Sequence, residues 1–271
     1  MLVQRDSPQS EKEASIVEQR TYSPIIYLSP STQDWNYYVN GGTEEYYMNL
    51  VADAMEPYLR ASNIRFVRNT PDMTAASSIR QSNQAHYDLH LALHSNAAPE
   101  TEAGQRQGVE VYYYPTSTNG QRAANIIAEN LKKIYPDPEN VKTIPTTRLG
   151  EVSKTRAPGV LVEFAYHDNP QDAQWIIDHI GTIAKNVVES LTEYFGIPFV
   201  LPDLERRGVV SVQWGWLNIR SQPNMDAPII ARAWNGNPIQ VLGRTEDGWY
   251  KVDYYGKEGF ARSEYILLRE R

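Results

Sequence analysis

The feature that most constrains this chain is an alternation of short apolar runs with helix-period segments. It continues from residue 24 to residue 194 and then stops. Pro24-Ile25-Ile26-Tyr27-Leu28, closed by Ser29-Pro30-Ser31-Thr32, reads as a buried strand entering a loop. In 43–59 the apolar residues Tyr47, Leu50, Val51, Ala54, Met55, Tyr58 and Leu59 recur at helical spacing, with Thr43 as N-cap and Glu44 and Glu45 in the first turn. Strands are predicted over 64–68, 88–94, 108–114 and 158–163. Helices are predicted over 75–85, 123–134 and 172–194. Strands alternating with helices make an α/β domain: a twisted, mostly parallel or mixed sheet flanked by helices, over 23–197.

Beyond Gly196-Ile197-Pro198 the pattern changes. Residues 198–208, rich in Pro and charge, read as a linker. From 209 to 271 short strand-like runs alternate with turns such as Asp247-Gly248 and Tyr255-Gly256, which predicts a small all-β barrel. Residues 1–22 are polar and without apolar period, and read as a flexible leader. Charge divides the same way. Residues 1–207 hold 18 Lys and Arg against 26 Asp and Glu, net −8, whereas 208–271 hold 8 against 7, net +1. A net charge of −7 argues against nucleic acid and anionic lipid as partners. No apolar run is long enough for a membrane span, and no signal peptide is visible.

The chain has no Cys, so a metal site must be built from His, Asp and Glu. His90 and His94 lie on a strand pattern with Leu89, Leu91 and Leu93 between them. Four strand residues span about 13 Å, too far for both imidazoles to reach one ion, so one of the pair at most is a ligand. His94 is better placed, at the carboxyl end of its strand, where open α/β sheets form their sites. Glu163 ends another apolar strand, and a carboxylate there needs a partner or a cleft. Trp214 and Trp216, two apart, are candidates for an exposed aromatic platform.

These residues resemble a family. Leu93-His94-Ser95-Asn96-Ala97-Ala98-Pro99, Gly42-Thr43-Glu44-Glu45-Tyr46-Tyr47-Met48-Asn49-Leu50 and Pro158-Gly159-Val160-Leu161-Val162-Glu163, with Asn169-Pro170 beyond it, look like segments of zinc-dependent N-acetylmuramoyl-L-alanine amidases of the amidase_3 type, over 25–197. Leu217-Asn218-Ile219-Arg220, Gly248-Trp249-Tyr250-Lys251-Val252 and Gly256-Lys257-Glu258-Gly259-Phe260-Ala261 resemble a bacterial SH3-like wall-binding module. The resemblance implies a peptidoglycan hydrolase, extracellular or in the cell wall and monomeric. It would cleave the amide between N-acetylmuramic acid and L-alanine with one zinc ion per chain. Glu163 would be the catalytic acid/base, Glu45 (selected by its spacing to Asn49) and His94 zinc ligands, and Asn96, Trp214 and Trp216 substrate contacts. Where the family has its first zinc-binding His, this chain has Thr32. Gln33 is the nearest replacement, and Asp34 and His167 are the others. The missing His also motivates an alternative, a non-catalytic wall-binding protein with a degenerate zinc site. A zinc peptidase acting on stem peptides is a third reading.

Overall fold

The computed structural model describes residues 23–268, without the side chains of 203–205. The leader expected over 1–22 lies outside them. Six strands form the first sheet: β1 (Ile25–Pro30), β2 (Arg65–Arg68), β3 (Leu89–Asn96), β4 (Val109–Tyr113), β5 (Val141–Pro145) and β6 (Gly159–Tyr166). Their order is β2-β1-β3-β6-β4-β5. The pairs β1–β2, β1–β3 and β3–β6 are parallel, and β4 runs antiparallel to β6. The sheet is therefore mixed, as expected. Parallel neighbours need crossovers, and helices supply them. They are α1 (Glu44–Ala61), α2 (Ala75–Ser82), α3 (Thr118–Leu131), α4 (Gly150–Ser153), α5 (Pro170–Asp178) and α6 (Ile180–Phe195).

Period-two alternation sorts the two faces of β3. Leu89, Leu91 and Leu93 join the main core with Met48, Val51, Met55 and Leu59 of α1 and Val187, Val188 and Leu191 of α6. Ala92, between the two histidines, packs instead with Val152 of α4 and Leu161 of β6. Burial of both faces explains why the central strands read as near-continuous apolar runs. It also makes each polar residue on them conspicuous.

Two elements of this domain are absent from the sequence reading: β5 and the one-turn helix α4. The single helix expected over 172–194 is two, parted at His179, which ends α5 and begins α6. The expected linker is corrected as well. From Leu201 the chain is already strand β7 (Leu201–Val210), which pairs with β10 (Pro238–Arg244) from Leu201 to Val209. The other strands of this region are β8 (Trp216–Arg220), β9 (Ile229–Trp234), β11 (Trp249–Tyr254), β12 (Lys257–Arg262) and β13 (Ile266–Leu268). Together they form one antiparallel seven-stranded sheet, β13-β7-β10-β11-β12-β8-β9. Its core is Val210, Leu217, Ile219, Val241, Val252 and Ala261. Val200, Trp249 and Phe260 close against Ala61, at the end of α1.

Candidate active site

The site forms at the carboxyl ends of β1, β3 and β6, under the N-terminus of α1. Thr43 caps that helix by accepting a bond from the Tyr46 N–H at 3.2 Å. The buried stripe of α1 runs Leu59, Met55, Val51 and Ala52, Met48 and, one turn further, Glu44. Glu44 is thereby carried into the protein, 1% exposed. There its Oε1 lies 2.8 Å from His94 Nδ1, and its Oε2 accepts from Asn36 Nδ2 at 2.7 Å. Glu45, on the adjoining face, is only half-buried. Its Oε1 accepts from Asn49 Nδ2 at 3.3 Å. The structure thus brings Glu44, not the expected Glu45, to His94. The Glu45–Asn49 spacing that favoured Glu45 is an i, i+4 pair along the helix surface.

The other ring nitrogen of His94 is also held. Nε2–H donates to Glu151 Oε2 at 3.0 Å. Glu151 comes from α4, and nothing in its sequence surroundings marks it. It is buried, and its Oε1 takes a bond of 2.5 Å from the Ser29 hydroxyl and lies 3.3 Å from His90 Nε2. His90 closes the chain on Ser82 Oγ at 2.9 Å and stacks on Tyr27. One sign was present in the sequence: two histidines on one strand face require a polar partner opposite them. Burial alone would push the His94 imidazole down, but its bonds to Glu151 and Glu44 hold it well above the usual histidine range. Burial works against both carboxylates too, yet His94 keeps Glu44 lowered, and His90 and His94 keep Glu151 well below the ordinary carboxylate range.

Glu163 is the register neighbour of His94 on β6 and of Glu110 on β4. Its Oε2 is buried and has no hydrogen-bond partner. Burial pushes the group up to about 8. The His94 charge opposes this, and Glu44, Glu110 and Glu151 add to it. Immediately beyond, the β3–β6 register slips between His94 and Asn96, and Ala165 takes a left-handed φ of 68°. The extra β6 residue makes a bulge, a feature that re-aims strand ends next to sites. Asn96, expected to meet substrate, is engaged internally: its Nδ2 donates to Glu110 Oε2 at 2.9 Å, and its Oδ1 accepts from the Ala97 N–H. Tyr112 and Tyr166 hydroxyls donate to the same Glu110 carboxylate.

Of the replacements for the missing histidine, Gln33 is at the site. Its Nε2 stands 3.4 Å from His94 Nδ1, and its Oε1 accepts from Asn36. Asp34 is exposed, and His167 is buried with its Nδ1 donating to the Ser95 carbonyl at 2.9 Å. Among the described residues no three His, Cys, Asp or Glu stand together as a metal-holding group. A zinc centre does not fit these residues: His94 Nδ1 and Glu44 Oε1 are two donors, and the Gln33 amide faces them with its NH2, its oxygen being held by Asn36 Nδ2, which also donates to Glu44.

In the second sheet Trp214 is 86% and Trp216 42% exposed, and both line a cleft with Met225 and Tyr265. Gly215 between them has φ +71°, so they share the cleft through a turn and not through an extended strand. Trp216 meets Trp234 edge to face at 5.2 Å, and Arg232 lies over its ring. Trp249 is core.

Comparison with known proteins agrees with this division. The model of the N-acetylmuramoyl-L-alanine amidase family (Amidase_3) matches residues 32–193, and that of the bacterial SH3 domain (SH3_3) matches 216–266. No curated protein matches the chain. Among solved structures, the N-acetylmuramoyl-L-alanine amidase AmiC2 of Nostoc punctiforme superposes with TM-score 0.56 at 14% identity, covering 65% of this chain and 98% of its own. The N-acetylmuramoyl-L-alanine amidase from Clostridium difficile 630 gives 0.57 at 15%, covering 64% and 97%. The catalytic domain of CwlV from Bacillus (Paenibacillus) polymyxa gives 0.56 at 15%, covering 64% and 99%. At these identities the superpositions speak for the fold, and the family match speaks for the chemistry. The chain belongs to the N-acetylmuramoyl-L-alanine amidase family, peptidoglycan hydrolases that generally use zinc, and carries a bacterial SH3 domain behind its amidase domain.

Proposed function

We propose that this chain cleaves the amide between N-acetylmuramic acid and the L-alanine of the stem peptide with Glu163 as the group that moves the proton. The observation that carries this reading is the buried, partnerless Oε2 of Glu163 at the carboxyl end of β6, beside His94. A value near 8 suits a group that must accept a proton and then release it close to neutral pH. In its ionised form Glu163 takes a proton from the attacking water at a carboxylate oxygen. It returns that proton to the leaving nitrogen as the C–N bond breaks. The products are a lactyl carboxylate on the sugar and a free L-alanine amine.

The family generally uses zinc, and His94 and Glu44 are the two donors that this chain offers at the corresponding place; the role given to Glu163 does not depend on a third. Glu44 keeps its own oxygen in place through Asn36, and Ser95 N–H donates to Glu44 Oε1 at 3.4 Å. Trp214 and Trp216 offer an exposed aromatic surface for the wall polymer, and Asn96 supports the site through Glu110. The amidase and SH3 matches together support a protein acting where its polymer lies, in the cell wall, and the reading takes it as a monomer. Among the described residues no helix is long and apolar enough to cross a membrane. Peptidoglycan from purified walls, digested and assayed for new N-terminal alanine, tests the reading. Glu163→Gln should lower the rate by 10²–10⁴-fold. An unchanged rate removes Glu163 from the mechanism. New amino groups on stem residues other than L-alanine would favour a peptidase.

A further inference from the structure

We propose that Trp35 and Tyr37, on the rim of the site, bind the glycan strand: they receive the faces of neutral N-acetylated sugar rings and leave the stem peptide to the other side of the cleft. The proposal rests on the reading of the substrate as peptidoglycan and adds which half of it this rim holds. The starting point is a row of large apolar side chains that the fold does not bury. Along 35–39 exposure alternates. Trp35 is 63%, Tyr37 73% and Val39 54% exposed, whereas Asn36 and Tyr38 between them turn inward. A period of two is that of extended chain, so the outward side chains share one face, with neighbours about 7 Å apart. Single exposed apolar residues are ordinary, but a contiguous row of them beside a cleft marks a surface that meets a ligand.

The inward residues fasten this row to the site. Asn36 Nδ2 donates to Gln33 Oε1 at 3.2 Å and to Glu44 Oε2 at 2.7 Å, and the Asn36 carbonyl accepts from the Glu44 N–H at 2.9 Å. Tyr38 is buried, stacked on His167 and tilted against Tyr47. Its N–H donates to the Gly42 carbonyl, and the Val39 N–H donates to the His167 carbonyl, each at 3.0 Å. A segment pinned in this way holds its outward rings in place before anything binds, so little freedom is lost on binding. A cleft of about 330 Å³ joins the row to the site: Trp35 lines it at the exposed end, with the small residues Ala75 and Ala76 of α2, and His94 lines it at the buried end.

The chemistry of the row selects the sugar over the peptide. The face of an aromatic ring is weakly negative and meets the C–H face of a pyranose without needing a charge on either partner. Residues 31–47 contain Asp34, Glu44 and Glu45 and neither Lys nor Arg, so nothing in this segment balances a carboxylate. Stem peptides carry carboxylates, and like charges set against each other select against a partner. The glycan, whose lactyl groups are tied up as amides, carries no charge along the stretch that would lie here.

The test uses the full chain with fluorotryptophan at its six tryptophans, and Trp35→Phe identifies the Trp35 signal in the ¹⁹F spectrum. The probes are chitohexaose, a neutral N-acetylglucosamine chain without peptide, and a free stem peptide beginning with L-alanine. Chitohexaose should move the Trp35 signal, and the peptide should leave it in place. Calorimetry then measures chitohexaose affinity in a Trp214→Ala, Trp216→Ala background, which removes the aromatic surface of the second sheet. Affinity should fall about fivefold on adding Trp35→Ala and about thirtyfold with Tyr37→Ala as well, with unfolding by urea unchanged because both rings are exposed. A Trp35 signal that stays still under chitohexaose, or that moves with the peptide instead, overturns the proposal, as does undiminished affinity in the variants. A chain that leaves walls uncut yet binds chitohexaose at Trp35 would remove the proposed function and sustain the glycan contact.

Discussion

Replacing Glu163 by Gln should make the protein more stable, and increasingly so as the pH rises. The carboxyl is held up to about 8 in the fold, against 4.5 for the free group, because its charge would be buried. Between these values the native state keeps a proton that the unfolded chain releases. Stability therefore falls as pH climbs through this window, by about 1.4 kcal/mol per unit, and levels off above pH 8. The ceiling is about 3 kcal/mol at pH 7 and about 5 kcal/mol above pH 8. Glutamine carries no charge and keeps the shape, so the variant lacks this slope. Urea unfolding of both proteins in chelator, from pH 5 to 9, measures the difference directly. It should be close to zero at pH 5, grow to pH 8 and then stay constant. A difference that does not change with pH would refute the burial argument, and with it the account of why Glu163 can carry a proton.

The Glu44–His94–Glu151 chain predicts the opposite flanks. Its carboxylates are lowered, so their stabilisation is present above the ordinary carboxylate range and is lost on acidification. His94 is raised, so its share is complete below pH 6.5 and is lost as pH rises through its folded value. His94→Gln should flatten both flanks in denaturant midpoints taken from pH 3 to 9. The double variant Trp214→Ala, Trp216→Ala should weaken binding of the protein to purified walls, read by co-sedimentation, by roughly thirtyfold, at about 1 kcal/mol per lost ring contact, with no change in unfolding. Undiminished co-sedimentation would move the wall contact elsewhere.

The layered α/β domain was legible because periodicity reports burial, and its core strands and longer helices are strongly periodic. The β-rich second region was legible from its turns. His94 and Glu163 were visible for a related reason, as polar residues ending apolar strands. Glu44 could have been recognised by extending the Met48–Met55–Leu59 stripe back one turn, since the helix face that buries methionine buries whatever precedes it. Motif spacing pointed to Glu45 instead. Glu151 was not legible. Its helix is a single turn with no period, and its importance comes from tertiary neighbours 57 to 122 residues away in sequence. Asn96 shows the converse: a motif residue at the right place whose bonds turn inward. The linker reading failed because the first half of β7 is polar and contains Pro, and so lacks the apolar signature of a buried strand.

The helix α1 has a geometric consequence for how the wall is cut. Its first residue, Glu44, stands against His94. Its last, Ala61, packs with Val200, Trp249 and Phe260, and the Ala61 carbonyl accepts from Lys251 Nζ at 3.1 Å. Ser62, one residue on, accepts from the Val200 N–H at 3.0 Å. Eighteen helical residues measure about 27 Å, and a helix does not stretch. The helix is therefore a rigid strut between the candidate site and the second sheet, and it fixes how far His94 stands from the junction at Ala61.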